Sequence, residues 1–524
     1  MADSGVTGNR RDPIKSSGAL SFITRFSFHA NYNLKEEKNS YTNAKVRKTT
    51  FRFLTVNLIG YIQSRVFVSV GTAAASRRRQ HAVTVGKERR ESLMRAKRLC
   101  RVGTGGGDGE VSIDGDMLID EEQSVLESQT SVAVENLKSA LAFQGKGAVK
   151  QRVAALQKLR RLLSKSEFPP VESALKAGAV PMLVQCLSFG SQDEQLLEAA
   201  WCLTNIAAGN PEETEALLPA LPLLIAHLGE KSYPPVAEQC AWALGNVAGE
   251  GEELRNVLLI QGALLPLARM MLPNRGSTVR TAAWALSNLI KGPDPKAATE
   301  LIRVDGILDA IIRHLKKADD ELATEVAWVV VYLSAHSNIA TSMLVKSETL
   351  ELLVNKLATS NSLQLMIPES AWVLSNIAAG SLEHKQLIYS SDAVPLLLRL
   401  LSAAPFDIRK EVAYVLGNLC VAPTKDDDKP SLILEHMVSL VGRGCLSGFI
   451  DLVRSADIEA ARLGLQFIEL VLRGMPNGEG PKLVEQEDGI EAMERFQFHE
   501  NEEIRAMANT LVDKYFGEDY GLDE

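Results

Sequence analysis

Glu198–Gly209 reads E-A-A-W-C-L-T-N-I-A-A-G, and variants of this stretch recur down the chain. They are C-A-W-A-L-G-N-V-A-G from Cys240, A-A-W-A-L-S-N-L from Ala282 and V-A-W-V-V-V-Y-L from Val326, then S-A-W-V-L-S-N-I-A-A-G from Ser370 and V-A-Y-V-L-G-N-L from Val412. The anchors are Trp201, Trp242, Trp284, Trp328, Trp372 and Tyr414, separated by 41, 42, 44, 44 and 42 residues. A fixed period in the low forties, with helix-forming composition, predicts an all-α solenoid of stacked helical units.

Each helical residue turns by about 100°. Measured from Trp201, the apolar positions Ala199, Leu203 and Ile206 cluster about 165° away, whereas Asn205 lies about 40° away. The first group forms a buried stripe, and Trp201 and Asn205 share the opposite face. Cys240, Leu244 and Val247 stand in the same relation to Trp242 and Asn246, as do Ala282, Leu286 and Leu289 to Trp284 and Asn288. All five Trp residues occupy this position, and four are followed by Asn four residues later. The pattern predicts an exposed ladder of Trp and Asn running along the solenoid, in other words a binding surface. The period itself is that of armadillo or HEAT repeats.

Charge divides the chain. Residues 1–101 hold 21 Lys+Arg and 6 Asp+Glu, leaving 36 basic and 59 acidic residues in 102–524. A basic arm on an acidic body can bind itself, and the body favours basic partners. Of the six cysteines, Cys186, Cys202, Cys240, Cys420 and Cys445 lie in the body and Cys100 in the arm, with no C-x-x-C pair. They read as reduced thiols, not as a disulfide or zinc framework. The eight His lack metal-ligand spacing, and no Ser/His/Asp set is recognisable, so no metal, cofactor or catalysis is expected. No run of 18 apolar residues appears in the body, which argues against a membrane span.

Along the chain, residues 18–75 match neither the repeats nor a clean helix and read as an insertion into the arm. Residues 76–101 are strongly basic and lack the aromatics that stack on nucleic-acid bases. Residues 102–129 read as a flexible Gly-rich and acidic linker. G-T-G-G-G-D-G within it lacks the Lys-Ser/Thr of a phosphate loop. Helical repeats are expected over 130–516, with Gly178, Gly262 and Gly306 each ending a helix. An acidic tail, 517–524, follows. Asp426–Asp428 fits a loop insertion, and Pro368 should shorten the helix that presents Trp372.

These motifs resemble the importin-α family: A-W-x-L-x-N at this period, T-N-I-A-A-G, G-N-V-A-G-E-G and S-N-L-I-K-G in that order, and E-D-G-I-E-A-M-E-R-F-Q-F-H-E-N-E-E near the end. The resemblance covers residues 76–524 and the first 17. It implies an armadillo-repeat right-handed superhelical solenoid behind a largely disordered basic arm. The implied function is a nuclear import adaptor whose acidic groove takes the basic nuclear-localisation signals of cargo. The Asn amides would hold an extended peptide backbone, and the indoles would form slots for Lys and Arg stems. By resemblance the major site comprises Trp201, Asn205, Gly209, Thr214, Trp242, Asn246, Glu250, Trp284 and Asn288. Gly209, Thr214 and Glu250 form its deepest lysine pocket, with Glu250 where the family carries Asp. The minor site comprises Trp328, Glu369, Trp372, Asn376, Glu411, Tyr414 and Asn418, with Tyr414 replacing a Trp. The family's ten repeats include one, bearing Arg in place of Trp, that has no counterpart between Trp328 and Trp372.

The arm resembles an importin-β-binding domain, carried by Arg77, Arg78, Arg79, Lys87, Arg89, Arg90, Arg95, Lys97, Arg98 and Arg101. Lys97, Arg98 and Arg101 would also compete weakly with cargo for the groove. The resemblance further implies an export receptor at the C-terminal repeats and shuttling between cytoplasm and nucleus. It implies neither direct nucleic-acid binding nor membrane insertion. The alternative reading is an armadillo scaffold of signalling or adhesion type. That would call for a basic groove, whereas this body is acidic.

Overall fold

An amphipathic helix of two to four turns cannot bury its apolar stripe alone, so such helices must stack on one another. The structure, a computed structural model, describes residues 116–165, 169–274, 276–358, 367–421 and 430–517, and every regular element among them is a helix. The arm residues Arg77 to Arg101, the insertion 18–75 and the loop containing Asp426 lie outside the described residues.

Most units contain two short helices and a longer third one. The third helices are α1 (Ala148–Leu162), α2 (Asp193–Ile206), α3 (Pro234–Glu250), α4 (Gly276–Ile290), α5 (Asp320–His336), α6 (Ile367–Ala378), α7 (Phe406–Leu419), α8 (Ile458–Gly474) and α9 (Glu502–Phe516). Each packs against the third helix before and after it, giving one continuous layer. Several begin at side-chain caps: the carboxylates of Asp319 and Asp457 and the amide oxygen of Asn501 accept from the backbone N–H of Leu322, Ala460 and Ile504. The turn between a unit's two short helices is made at Gly178, Gly262 and Gly306, with φ of 81°, 81° and 76°, as expected of helix-ending glycines.

The stripe lies where the sequence puts it. Ala199, Leu203, Ile206, Cys240, Leu244, Val247, Ala282 and Leu286 are fully buried in a core that runs unbroken from Leu126 to Leu511. Burying each Leu or Val stabilises by about 1.5–3 kcal/mol, and the partner surface comes from the unit's own short helices and from neighbouring units. Cys186, Cys202, Cys240, Cys420 and Cys445 are buried free thiols.

One boundary differs from expectation. Residues 116–129 are not linker, because a helix runs from Asp116 to Ala142. Acids crowded at a helix start are favoured by the helix dipole, so a stretch that reads as charged spacer also reads as a helix N-terminus. Leu126, Ala133, Val134 and Leu137 then anchor the helix in the core. Helix α6 starts at Ile367 with Pro368 in its first turn. At 12 residues it is shorter than α5, with 17, and α7, with 14.

Candidate functional site

The aromatic and Asn positions share one face of the third-helix layer, opposite the apolar stripe. The expected exposure is not found. Trp201 is half-buried, while Trp242, Trp284, Trp328, Trp372 and Tyr414 are only 5–8% exposed. Asn205, Asn246 and Asn288 are also buried. Neighbouring helices lie about 8–10 Å apart, and an indole is long enough to span that gap. The Trp242 and Trp284 rings accordingly lie 5.9 Å apart between centroids, and Trp328 meets Trp372 edge-on at 5.6 Å. An aliphatic stem sandwiched between two rings needs about 7 Å, twice a carbon–carbon contact. In these two pairs the expected slots are therefore closed, and a Lys or Arg side chain must lie across the ring edges or part the rings.

The Asn amides form a cross-unit ladder. Asn246 Nδ2 donates to Thr204 O at 3.3 Å, Asn288 to Gly245 O at 3.1 Å, Asn376 to Val331 O at 3.3 Å and Asn418 to Ser375 O at 3.0 Å. Asn205 donates to Ser164 Oγ at 2.8 Å. Every carbonyl acceptor among the first four is the third residue after the preceding aromatic. At least one N–H of each of these amides is thus engaged within the protein, in addition to any part it has in holding a bound backbone. Trp284 rests directly on Gly245, where a Cβ would come within 2.2 Å of the ring.

In the region of the predicted lysine pocket, Gly209 leaves room for the Glu213 carboxylate, which accepts from Asn210 N–H at 2.8 Å. Thr214 is buried and donates through Oγ1 to Asn210 O at 3.0 Å. Glu250 ends α3 and is half-buried, and the short helix Pro211–Glu215 packs on α3.

Several groups on this face escaped the sequence reading. Arg160 of α1 places its guanidinium 4.3 Å from the Trp201 ring centroid and pairs through Nε with Glu198 at 2.5 Å. An internal cation thus already lies on the first indole. Lys291, 4% exposed, donates to Gly249 O at 3.3 Å and Asn288 Oδ1 at 3.4 Å. Tyr332 stands at the Asn position of its copy, and its ring contacts Trp328 and His336. Glu325 precedes Trp328 by three residues, as Glu369 precedes Trp372 and Glu411 precedes Tyr414, and all three are buried. That spacing could have revealed Glu325, whereas Arg160 and Lys291 required the packing.

At the far end, Tyr414 donates its hydroxyl to Glu459 Oε1 at 2.6 Å, and Lys410 pairs with Asp457 at 3.1 Å and with Glu459 at 3.7 Å. Burial alone would favour the neutral Lys410 amine, but the hydrogen bond and charge of Asp457 outweigh it and raise the pKa above its usual value. Lys385 is 2% exposed. It donates to Ala378 O and, at 2.6 Å, to Asn418 O, tying the ends of α6 and α7 together; burial pushes its amine down to about 8. Among the described residues no cluster of three metal-ligating side chains occurs, and no single helix is long and apolar enough to cross a membrane.

The Armadillo/beta-catenin-like repeat model matches residues 168–208 and 381–421, and the Atypical Arm repeat model matches 482–524. Importin subunit alpha-9 of Arabidopsis thaliana is 68% identical over 503 residues, covering 87% of this chain and 97% of its own length. The chain belongs to the importin α family. Importin subunit alpha-2 of Oryza sativa subsp. japonica is 61% identical over 503 residues, 87% of this chain and 95% of that one. An engineered protein solved by the Northeast Structural Genomics Consortium matches with a TM-score of 0.62 at 24% identity, covering 72% of this chain and 87% of that one. That likeness bears on the fold alone, an armadillo-repeat right-handed superhelical solenoid. The 503 positions aligned with the Arabidopsis importin take in 87% of the 524 residues here, about 456. About 47 of the aligned positions are therefore opposite gaps in this chain.

Proposed function

We propose that this importin α is a nuclear import adaptor that takes basic localisation signals of cargo proteins on its third-helix face. The observation that carries the reading is the ladder itself: aromatic and Asn side chains in one register on α2 to α7, in a family whose members are importin subunits. A basic peptide laid across α2, α3 and α4 meets Trp201, Trp242 and Trp284, whose faces would each contribute about 0.5–2 kcal/mol to a cation once Arg160 is displaced from Trp201 and the Trp242–Trp284 pair is parted. Asn205, Asn246 and Asn288 line its path, their amides tied into the helix stack. Gly209, Thr214 and Glu250 form the pocket for the most deeply held lysine. A second stretch on α5 to α7 uses Trp328, Trp372, Asn376, Tyr414 and Asn418, with the buried carboxylates of Glu369 and Glu411 supplying negative charge beneath it.

The basic arm, Arg77 to Arg101, links the adaptor to importin-β and competes with cargo when importin-β is absent. The C-terminal helices from Pro430 to Phe516 take the export receptor, and the protein shuttles between cytoplasm and nucleus. Fluorescence anisotropy with a short Lys-rich peptide tests the reading on the full chain and on a Trp242→Ala, Asn246→Ala variant. Salt-sensitive binding that the double variant loses, with circular dichroism unchanged, supports it. A folded parent protein that ignores the peptide overturns it in favour of a scaffold of another kind.

A further inference from the structure

The register that ties each third helix to the next runs one step past the aromatic ladder, onto α1. Between α2 and α3, the side chain three residues after one aromatic meets the side chain three residues before the next: Gln239 Nε2 donates to Thr204 Oγ1 at 2.8 Å. Arg160 and Glu198 meet in the same way, with Nε 2.5 Å from the carboxylate, and Glu198 stands three residues before Trp201. Arg160 O also accepts from Asn205 Nδ2 at 3.5 Å, as Thr204 O does from Asn246 Nδ2. Arg160 thus holds on α1 the place that Thr204 holds on α2. Counting from it puts Gln157 at the aromatic place of α1 and Arg161 at the Asn place.

This first step of the ladder is basic. Residues 148–165 contain Lys150, Arg152, Lys158, Arg160, Arg161 and Lys165 and neither Asp nor Glu, although residues 102–524 as a whole hold 36 basic and 59 acidic side chains. Glu198 neutralises Arg160. Lys158, Arg161 and Lys165 are exposed. Lys158 and Arg161 lie three residues apart and so share a face, and among the described residues neither has a carboxylate partner. Helix α1 carries no aromatic side chain, so it offers no ring to a Lys or Arg stem or to a nucleic-acid base.

We infer that α1 is a recognition surface for acidic residues flanking a basic localisation signal. Peptide that leaves the ladder past Trp201 runs onto Arg161, Lys158 and Lys165, which hold its carboxylates. The inference rests on the adaptor reading above and adds a second determinant of its specificity. Packed helices lie about 8–10 Å apart and an extended peptide covers about 3.3 Å per residue, so acids about three residues beyond the one over Trp201 come level with α1. The acidic excess of the body would by itself make acidic flanks weaken binding at both ends of a peptide. The basic helix predicts the opposite at one end.

The test is fluorescence anisotropy at low ionic strength with the full-length chain. Labelled peptides carry one Lys-rich cluster between Gly/Ser flanks, and a Glu-Glu pair is moved outward one residue at a time along either flank. The expected result is binding about three- to tenfold tighter than that of the neutral-flanked peptide, on one flank only. The gain should peak with the pair about three residues past the cluster and shrink as salt is raised. It should vanish in the triple variant Lys158→Gln, Arg161→Gln, Lys165→Gln, which retains binding of the neutral-flanked peptide. Gln matches Lys and Arg in helix propensity, so the circular dichroism spectrum should be unchanged. Glu pairs that weaken binding or leave it unchanged on both flanks overturn the inference. So does a gain that survives in the triple variant. If the neutral-flanked peptide does not bind the parent protein, the adaptor reading fails first, and the inference about α1 falls with it.

Discussion

Gly245 and Gly417 occupy the same place in the repeated motif, three residues after the aromatic, and the structure predicts opposite outcomes for their replacement by alanine. At Gly245 a Cβ would stand 2.2 Å from Trp284 Cζ3, 2.7 Å from Cε3 and 3.1 Å from the Ala285 Cα. Ordinary carbon contacts are about 3.5–4.0 Å, so the indole must move by more than about 1 Å. It has little room to do so, being 8% exposed and held against Trp242. Overpacking of this kind costs about 1–3 kcal/mol, against about 0.5–1 kcal/mol gained by replacing glycine inside a helix. The net expectation for Gly245→Ala is destabilisation of about 1–2 kcal/mol. At Gly417 the nearest atoms, on Leu463 and Phe449, are 3.9 Å away. The helix gain stands unopposed there, so Gly417→Ala should stabilise by about 0.5–1 kcal/mol. Urea unfolding followed by circular dichroism and by Trp fluorescence reads both. Because stacked units need not unfold in one step, the midpoint of each transition is compared, not a single global free energy. Gly245→Ala should also alter the native Trp emission and weaken a basic peptide by about tenfold, equivalent to about 1.4 kcal/mol. If Gly245→Ala is as stable as the parent, or if both substitutions shift the midpoint the same way, Trp284 is not seated on Gly245 and the packing argument is wrong.

Asn288→Ala removes the donor to Gly245 O and should lower stability by about 1–2 kcal/mol before any peptide is added, measured as a shift in the urea midpoint. An unchanged midpoint would mean that the cross-unit ladder contributes nothing. Burial lowers the pKa values of His314, His384 and His436, so each binds its proton less readily folded than unfolded. Their contribution is present above the unfolded value of about 6.5 and is lost as pH falls from there toward the lower folded values. The urea midpoint should drop between about pH 7 and pH 5, less steeply in His314→Gln, and equal slopes would count against the assignment. For Lys385, the folded amine loses its proton near about 8 and the unfolded one near about 10.5, so parent stability should rise with pH across that window. Lys385→Met should lack this rise, and comparing the two proteins cancels the titration of the buried thiols. Parallel curves would show that Lys385 is not the buried cation the structure makes it. Arg160→Ala strands Glu198 at 6% exposure and should cost about 3 kcal/mol, whereas Arg160→Ala with Glu198→Gln should recover part of that loss in the same assay.

The sequence by itself determined the solenoid. A period of 41–44 residues and a stripe turning at about 100° per residue specify which side chains are buried, because only stacked neighbours can cover them. It also placed Trp201, Trp242, Trp284, Trp328, Trp372 and Tyr414 together on the opposite face, since angular position within a helix is a local property. The tertiary structure decided how that face is filled. Exposure depends on the distance to the next helix, and that distance lets Trp242 touch Trp284 and Trp328 touch Trp372. Hydrogen-bond partners depend on register between units, which commits the amide N–H of Asn246, Asn288, Asn376 and Asn418 to the preceding helix. Arg160 reaches Glu198 from 38 residues away and Lys291 reaches Gly249 from 42. No local pattern in the sequence encodes such pairs, because they exist only once neighbouring units have stacked.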